Sequence, residues 1–277
     1  MPKYLTDVQI AEYRELGFLS PIDVISESRA AALLAELEEA ERSFAEHLAG
    51  KNRNNPHLVF NFLDELAFNK IVLDVVEDLI GPDIALWGSV LFIKEPQTSH
   101  FVSWHQDATY MGMTSNNFVT PWIALSPSNL DTGCMSMIPG SHLQHIKPHD
   151  DTYGEDNILT RGQVVRDVDE SAAVNLILKP GQMSLHHAQT VHGSQPNTSQ
   201  QRRVGFALQS FMPSDVRQTI GQNFWLPARG LPPADDGVTL LSRPSGNLDE
   251  KAVAERQMAN SNFDDILYHG ASKRRDF

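Results

Sequence analysis

Cysteine is almost missing from this chain. Cys134 is the only one in 277 residues, so no disulfide can form within the chain, and the composition fits a reducing compartment. Cys134 itself reads as a small core residue. Basic residues are also scarce. Lys and Arg number 22 against 35 Asp and Glu, a formal net charge of −13. Nucleic acid and anionic membrane surfaces are recognised by basic surface, so neither is an expected partner. A local basic pocket for a small anion is still compatible with that balance. No apolar run approaches the roughly 20 residues that span a bilayer. The start, Met1-Pro2-Lys3-Tyr4-Leu5-Thr6-Asp7, leads into no apolar signal-peptide core. These absences predict a cytoplasmic protein, with its oligomeric state open.

No internal repeat, low-complexity tract or linker-like shift in composition divides the chain. One domain over residues 1–277 is the simplest organisation. It divides into N-terminal helices over about 6–80, a β core over about 83–212 and a C-terminal extension over 213–277. Thr6-Asp7-Val8-Gln9 resembles a capping box that opens a short helix ending near Gly17, and Phe18-Leu19 enters a strand. Ser26 caps a second helix with Ala30, Leu33, Leu37 and Ala40 at helical spacing, predicted to run to about Leu48. A third is expected from Asp64 to Leu79, stopped by Gly81-Pro82.

From Ile84 the pattern becomes short strands. These are Ile84–Trp87, Ser89–Ile93, Phe118–Leu125, Val174–Leu178, Gln182–His186 and Arg203–Phe211. Asp131-Thr132-Gly133, Pro139-Gly140, Pro180-Gly181 and Pro196-Asn197 supply the turns. The fold class expected is mainly β with helical decoration, a sandwich or barrel. Residues 142–172 read as a long polar loop, expected to cover the mouth of the barrel as a lid. A helix is possible over about 248–266.

The chemistry concentrates in Trp104-His105-Gln106-Asp107. On a strand, a His and a carboxylate two residues apart point to the same side. One more His completes a two-His-one-carboxylate triad of the kind that holds non-haem Fe(II). A bare H-x-D match is weak in a chain with 11 His, and His149-Asp150-Asp151 is a second match, placed in the polar loop. The first adjoins strand-like sequence and is favoured. His192 is the third-ligand candidate because Arg203 lies eleven residues on, and no other His has an Arg at that spacing. Placed on adjacent antiparallel strands, the two would sit side by side, and a guanidinium can grip a carboxylate with two hydrogen bonds. His186 and His187 read as core histidines, His142 as a turn residue and Gln106 as structural.

Taken together, Trp104-His105-Gln106-Asp107, Pro139-Gly140-Ser141-His142, Pro180-Gly181-Gln182, His192-Gly193-Ser194, Pro196-Asn197-Thr198-Ser199 and Arg203 resemble the phytanoyl-CoA dioxygenase family over about Lys94 to Phe211. The resemblance implies a double-stranded β-helix (jelly-roll, cupin-like) core. It also implies a dioxygenase using Fe(II), with 2-oxoglutarate and O2 as co-substrates and succinate and CO2 as products. By that carry-over His105, Asp107 and His192 bind iron, and Arg203, assisted by Ser194, binds the distal carboxylate of 2-oxoglutarate. Trp122 and Lys94 fall where the family contacts its co-substrate, although read alone they are a core tryptophan and a surface lysine. Halogenating relatives replace the carboxylate ligand with a small residue, so Asp107 implies hydroxylation. The substrate expected is a small polar or carboxylated metabolite. The competing reading is a metal-binding jelly roll without oxygenase activity, a cupin-like isomerase or a sensor, for which the Arg203 spacing would have no use.

Overall fold

A computed structural model describes residues 2–232, 234 and 237–275; the other positions of the 1–277 span lie outside the described residues. Helix α1 (Asp7–Leu16) opens with the expected capping box between Thr6 and Gln9 and closes at left-handed Gly17. Strand β1 (Phe18–Asp23) follows, then α2 (Glu27–Ser43), capped by Ser26. The second helix stops five residues before Leu48, and a 3-10 turn over Ala45–His47 continues the chain. The single third helix predicted over Asp64–Leu79 is two: α3 (Asn61–Ala67) and α4 (Lys70–Ile80). Asn69 caps the second by accepting from the Ile71 amide, a break that the apolar periodicity alone conceals.

The strands that follow are β2 (Ile84–Leu86), β3 (Val90–Lys94), β4 (Val102–His105), β5 (Val119–Ala124) and β6 (Met135–Met137). Next come β7 (His149–Asp151), β8 (Gln163–Val165), β9 (Val174–Leu176), β10 (Gln182–His187) and β11 (His192–Ser194). The predicted strand Arg203–Phe211 is broken into β12 (Arg203–Ala207) and β13 (Phe211–Pro213). Beyond them lie β14 (Asn223–Arg229), β15 (Val238–Leu240) and α5 (Glu250–Leu267).

A nine-stranded major sheet runs β1-β10-β5-β13-β2-β14-β15, with β12 bridging β3 and β5. A four-stranded minor sheet runs β4-β11-β6-β9. Among these named strands all pairings but β14–β15 are antiparallel, and the two sheets make the jelly roll. The β structure exceeds the 83–212 span expected for it, because β1 and β14 extend the major sheet from outside that range. Residues 142–172 are not only loop: β7 and β8 pair there. No helix among the described residues is long and apolar enough to cross a membrane.

Strand alternation separates two environments. Leu91 and Ile93 of β3, Val119 and Ile123 of β5, Met183 and Leu185 of β10, and Val204 and Phe206 of β12 face one way. They pack with Leu33 and Leu37 of α2, Leu63 of α3 and Val72 and Val76 of α4 into the largest apolar cluster. Each fully buried side chain of that size contributes about 1.5–3 kcal/mol. The alternate residues of the same strands, among them Phe92, Thr120, Trp122, His186, Arg203 and Ala207, line a cavity. Val102 and His105 of β4, Met135 of β6 and His192–Ser194 of β11 line it from the minor sheet.

Candidate active site

His105 and His192 are cross-strand partners in the minor sheet. The His105 ring donates from Nδ1 to the Ser103 carbonyl, and the His192 ring from Nδ1 to the Thr190 carbonyl, both at 2.9 Å. A carbonyl only accepts, so each Nδ1 carries the proton and each Nε2 offers a lone pair. Both Nε2 atoms face Asp107 Oδ1, at 3.3 and 3.8 Å. The ligand atoms of these three residues lie within 4.8 Å of one another, the one such group among the described residues. The geometry differs from the expected strand pair in one respect. Strand β4 ends at His105, and Asp107 opens a 3-10 turn over Asp107–Thr109. The carboxylate reaches the shared point from a turn.

His186 acts on that carboxylate. Its Nε2 donates to Asp107 Oδ2 at 3.2 Å, and the Thr120 hydroxyl donates to the same oxygen at 3.3 Å. Thr120 and His186 are register partners on β5 and β10. They hold one carboxylate oxygen and leave the other facing the histidines, the outer support that metal ligands normally have. Burial acts to raise the Asp107 carboxyl, but His192, His105 and His186 outweigh it and hold it well below the usual carboxylate range. Burial, with His105 and His186 alongside, pushes the His192 imidazole well below its usual value. Both groups are thus in the form that binds a metal. Two imidazole nitrogens and one carboxylate oxygen suit non-haem Fe(II).

Arg203 is not beside His192 on a neighbouring strand. It belongs to the major sheet, and its register partner is Lys94 of β3. The two candidates meet across the cavity. Both cations are buried, Lys94 at 0% and Arg203 at 1% exposure, which corrects the reading of Lys94 as surface. Lys94 donates to Ser194 Oγ at 2.7 Å and to the Gln195 carbonyl. The Gly133 carbonyl accepts from both Lys94 and Arg203. Neither cation has a carboxylate partner among the described residues, and Arg203 Nε is buried without any acceptor. Like charges directly opposite on a sheet repel, and buried charges need a counter-charge. Burial, with Arg203 opposite, lowers the Lys94 ammonium to about 6, and burial lowers Arg203 to about 10. Trp122 lies under the Arg203 guanidinium, 5.0 Å from ring centroid to Cζ.

Two glycines make room for this arrangement. Gly133 has φ +72°, and a Cβ there would stand 2.2 Å from the Gln195 carbonyl oxygen. At Gly205 a Cβ would stand 1.7 Å from Trp122 Cζ2.

The second His-x-Asp match forms no metal group. His149 Nδ1 donates to the Lys147 carbonyl at 2.8 Å, and its Nε2 accepts from the Gln106 amide at 3.0 Å. Gln106, which also lines the cavity, is tied to Gln189 and Lys147 through its side chain. His142 bonds the Arg14 carbonyl at 3.1 Å, and Cys134 is buried. The 142–172 segment does reach the cavity, through Ile158, Leu159, Thr160 and Gln163. Phe263 and Leu267 of α5 line it too. Sequence reasoning missed that wall, since helical periodicity marks α5 but says nothing of what it packs against.

The class defined so far is a jelly roll with a two-His-one-carboxylate group and a buried cationic pair in one cavity. The model of the phytanoyl-CoA dioxygenase (PhyH) family matches residues 13–205, and the chain belongs to that family. A relative named as a probable alpha-ketoglutarate-dependent hypophosphite dioxygenase of Stutzerimonas stutzeri is 30% identical over 169 residues, 60% of this chain and 58% of the relative. The peroxisomal phytanoyl-CoA dioxygenase of Homo sapiens is 30% identical over 161 residues, 55% of this chain and 48% of that protein. The chain therefore spans about half the length of the curated relatives it matches. Among solved structures, the non-heme monooxygenase ThoJ in its apo form superposes with a TM-score of 0.84 at 28% identity, over 96% of this chain and 100% of that one. CytC3 with Fe(II) and alpha-ketoglutarate shares the fold, with a TM-score of 0.66 at 20% identity over 86% of this chain and 94% of that one.

Proposed function

We propose that this chain is an Fe(II)- and 2-oxoglutarate-dependent dioxygenase that hydroxylates a C–H bond of a small-molecule substrate and releases succinate and CO2. One observation carries the reading. Two directly opposed buried basic side chains, Lys94 and Arg203, share a cavity with His105, Asp107 and His192 and have no carboxylate partner among the described residues. A small dicarboxylate with one end at each group satisfies both.

His105, Asp107 and His192 hold the metal, and Arg203, Lys94 and Ser194 hold the distal carboxylate, with Trp122 packed beneath the guanidinium. Bound Fe(II) supplies the O2-dependent oxidative decarboxylation of 2-oxoglutarate and the attack on the substrate C–H bond. Asp107, fixed by His186 and Thr120, keeps a carboxylate where a halogenating enzyme needs an open position. That favours hydroxylation. Val102, Met111, Met135, Leu159 and Phe263 give the cavity an apolar wall that keeps water from the reacting atoms. The 142–172 segment serves as the lid over this wall, and residues 1–277 act as one domain.

The test is succinate release from 2-oxoglutarate with Fe(II) and ascorbate, screened against a metabolite library. Substrate-stimulated succinate in the wild type, absent from His192→Ala, supports the reading. A metal-loaded wild type that never consumes 2-oxoglutarate removes it and leaves the isomerase or sensor alternative.

A further inference from the structure

A second, outer cavity adjoins the one that holds the His-Asp-His group. Asn54, Val90, Phe92, Ile158 and Thr160 line both. The outer cavity is the larger, about 300 Å3 against about 140 Å3. The inner one must already hold the co-substrate and the reacting carbon. A substrate of more than a few atoms therefore extends outward, past Val90, Phe92 and Ile158, which are apolar.

Five residues that line the outer cavity carry formal charge: Lys51, Arg53 and Arg275 against Glu155 and Asp264. Lys51 is neutralised by Asp264 at 2.6 Å. Arg275 donates to the Asn157 and Leu159 carbonyls at 2.7 and 3.0 Å and so braces the segment that roofs the cavity. Arg53 is different. It ends the 3-10 turn Gly50–Arg53, is half-buried, and its side chain has no hydrogen bond, ion pair or ring contact among the described residues. Its Nε is fully buried without an acceptor. A buried N–H is normally satisfied, and a guanidinium presents a fork of donors shaped for an oxyanion.

We propose that Arg53 is a specificity determinant that binds a terminal oxyanion of the substrate, a carboxylate or a phosphate group, in the outer cavity. The substrate class is then an anion with an uncharged, largely apolar stretch between its oxyanion and the carbon to be hydroxylated. The inference rests on reading the inner cavity as the 2-oxoglutarate dioxygenase site. It also reconciles an acidic chain with an anionic substrate. The net charge of −13 belongs to the whole molecule, whereas recognition depends on one unpartnered cation in the outer cavity.

The experiment uses the full chain loaded with Ni(II) and N-oxalylglycine, an inert 2-oxoglutarate analogue that occupies Lys94 and Arg203. Calorimetry first measures N-oxalylglycine binding itself, then binding of octanoate, octyl phosphate and octanol to the loaded protein. The expected result is that at least one of the two anions binds about tenfold or more tightly than octanol. Arg53→Ala should remove that advantage, and Arg53→Lys should restore part of it. The tighter of octanoate and octyl phosphate identifies the oxyanion. If Arg53→Ala unfolds, Arg53→Gln, which keeps bulk and hydrogen bonding without charge, must still lose the advantage. Failure of N-oxalylglycine to bind overturns the dioxygenase reading and this inference with it. If it binds, but the anions bind no tighter than octanol or keep their advantage without the Arg53 charge, this inference alone is overturned.

Discussion

Arg202 and Arg203 are chain neighbours on opposite faces of the major sheet, and they live under opposite rules. Arg202 points to the helical side, where Glu41 of α2 holds its Nη1 at 2.9 Å and Glu95 holds its Nε at 3.0 Å. Arg203 points into the cavity, opposite Lys94, with no carboxylate among the described residues. The same contrast runs along the strand. Val204 and Phe206 join the dry core under the helices, while Arg203, Gly205 and Ala207 face the cavity. The outer face is complete in itself, and its residues report on folding. The inner face is left short of an anion and a cation, and its residues report on what binds.

The largest expected effect separates the two faces directly. Phe206→Ala should cost about 3–5 kcal/mol of stability, the usual loss for a buried aromatic, as read by denaturant unfolding. 2-Oxoglutarate affinity in the protein that remains folded should be near wild type. Arg203→Met should do the reverse. Apo stability should hold or rise, since Arg203 is a fully buried charge without a carboxylate partner among the described residues, whereas co-substrate binding weakens by about 2–5 kcal/mol. A strong loss of apo stability in Arg203→Met would dissolve the distinction between the faces.

Much of this division was legible in the sequence, because alternation alone places Arg203 and Phe206 on opposite sides of one strand. The H-x-D pair and the spacing from His192 to Arg203 also picked out residues that the structure brings to one cavity, though for partly wrong geometric reasons. Asp107 lies beyond the end of β4, and His192 and Arg203 belong to different sheets. Register is what the sequence withholds. Nothing local says that Lys94 pairs with Arg203, so a lysine before Glu95-Pro96 reads as surface when it is fully buried. The same limit hid the role of His186, whose contact with Asp107 joins residues 79 positions apart.

A middle-sized effect probes that contact. His186→Phe keeps a ring of similar size in the cavity wall but removes the donor to Asp107 Oδ2. Metal affinity should fall about 10–100-fold, as for other outer-sphere partners of a ligand, measured by Co(II) or Fe(II) titration. Unaltered affinity would make His186 a plain core residue after all.

Gly205→Ala should be felt on the inner face only. The new methyl would meet Trp122 and drive it toward Arg203, costing about 1–3 kcal/mol through overpacking and weakening 2-oxoglutarate binding. Calorimetry on the variant checks this, and wild-type binding would show that Trp122 has somewhere else to go.

The smallest effect is a proton. Burial and Arg203 bring Lys94 from an ordinary 10.5 to about 6 in the apo-protein. Between those values the folded chain has released a proton that the unfolded chain retains, so apo stability should rise with pH across that window. Co-substrate binding should show the opposite slope. The incoming carboxylate restores the Lys94 proton, so affinity falls as pH climbs above about 6. Calorimetry in two buffers of different ionisation heat should detect proton uptake in the wild type and none in Lys94→Met.

The central claim is that one cavity holds both a metal and a 2-oxo acid, each bound by the residues named. An anaerobic titration with Fe(II) and 2-oxoglutarate tests it most directly, because together in one site they give a visible charge-transfer band that neither gives alone. The wild type should develop the band at stoichiometric Fe(II), His192→Ala should not, and Arg203→Met should require far more 2-oxoglutarate. A wild type without the band, or a His192→Ala variant that keeps it, would contradict the account.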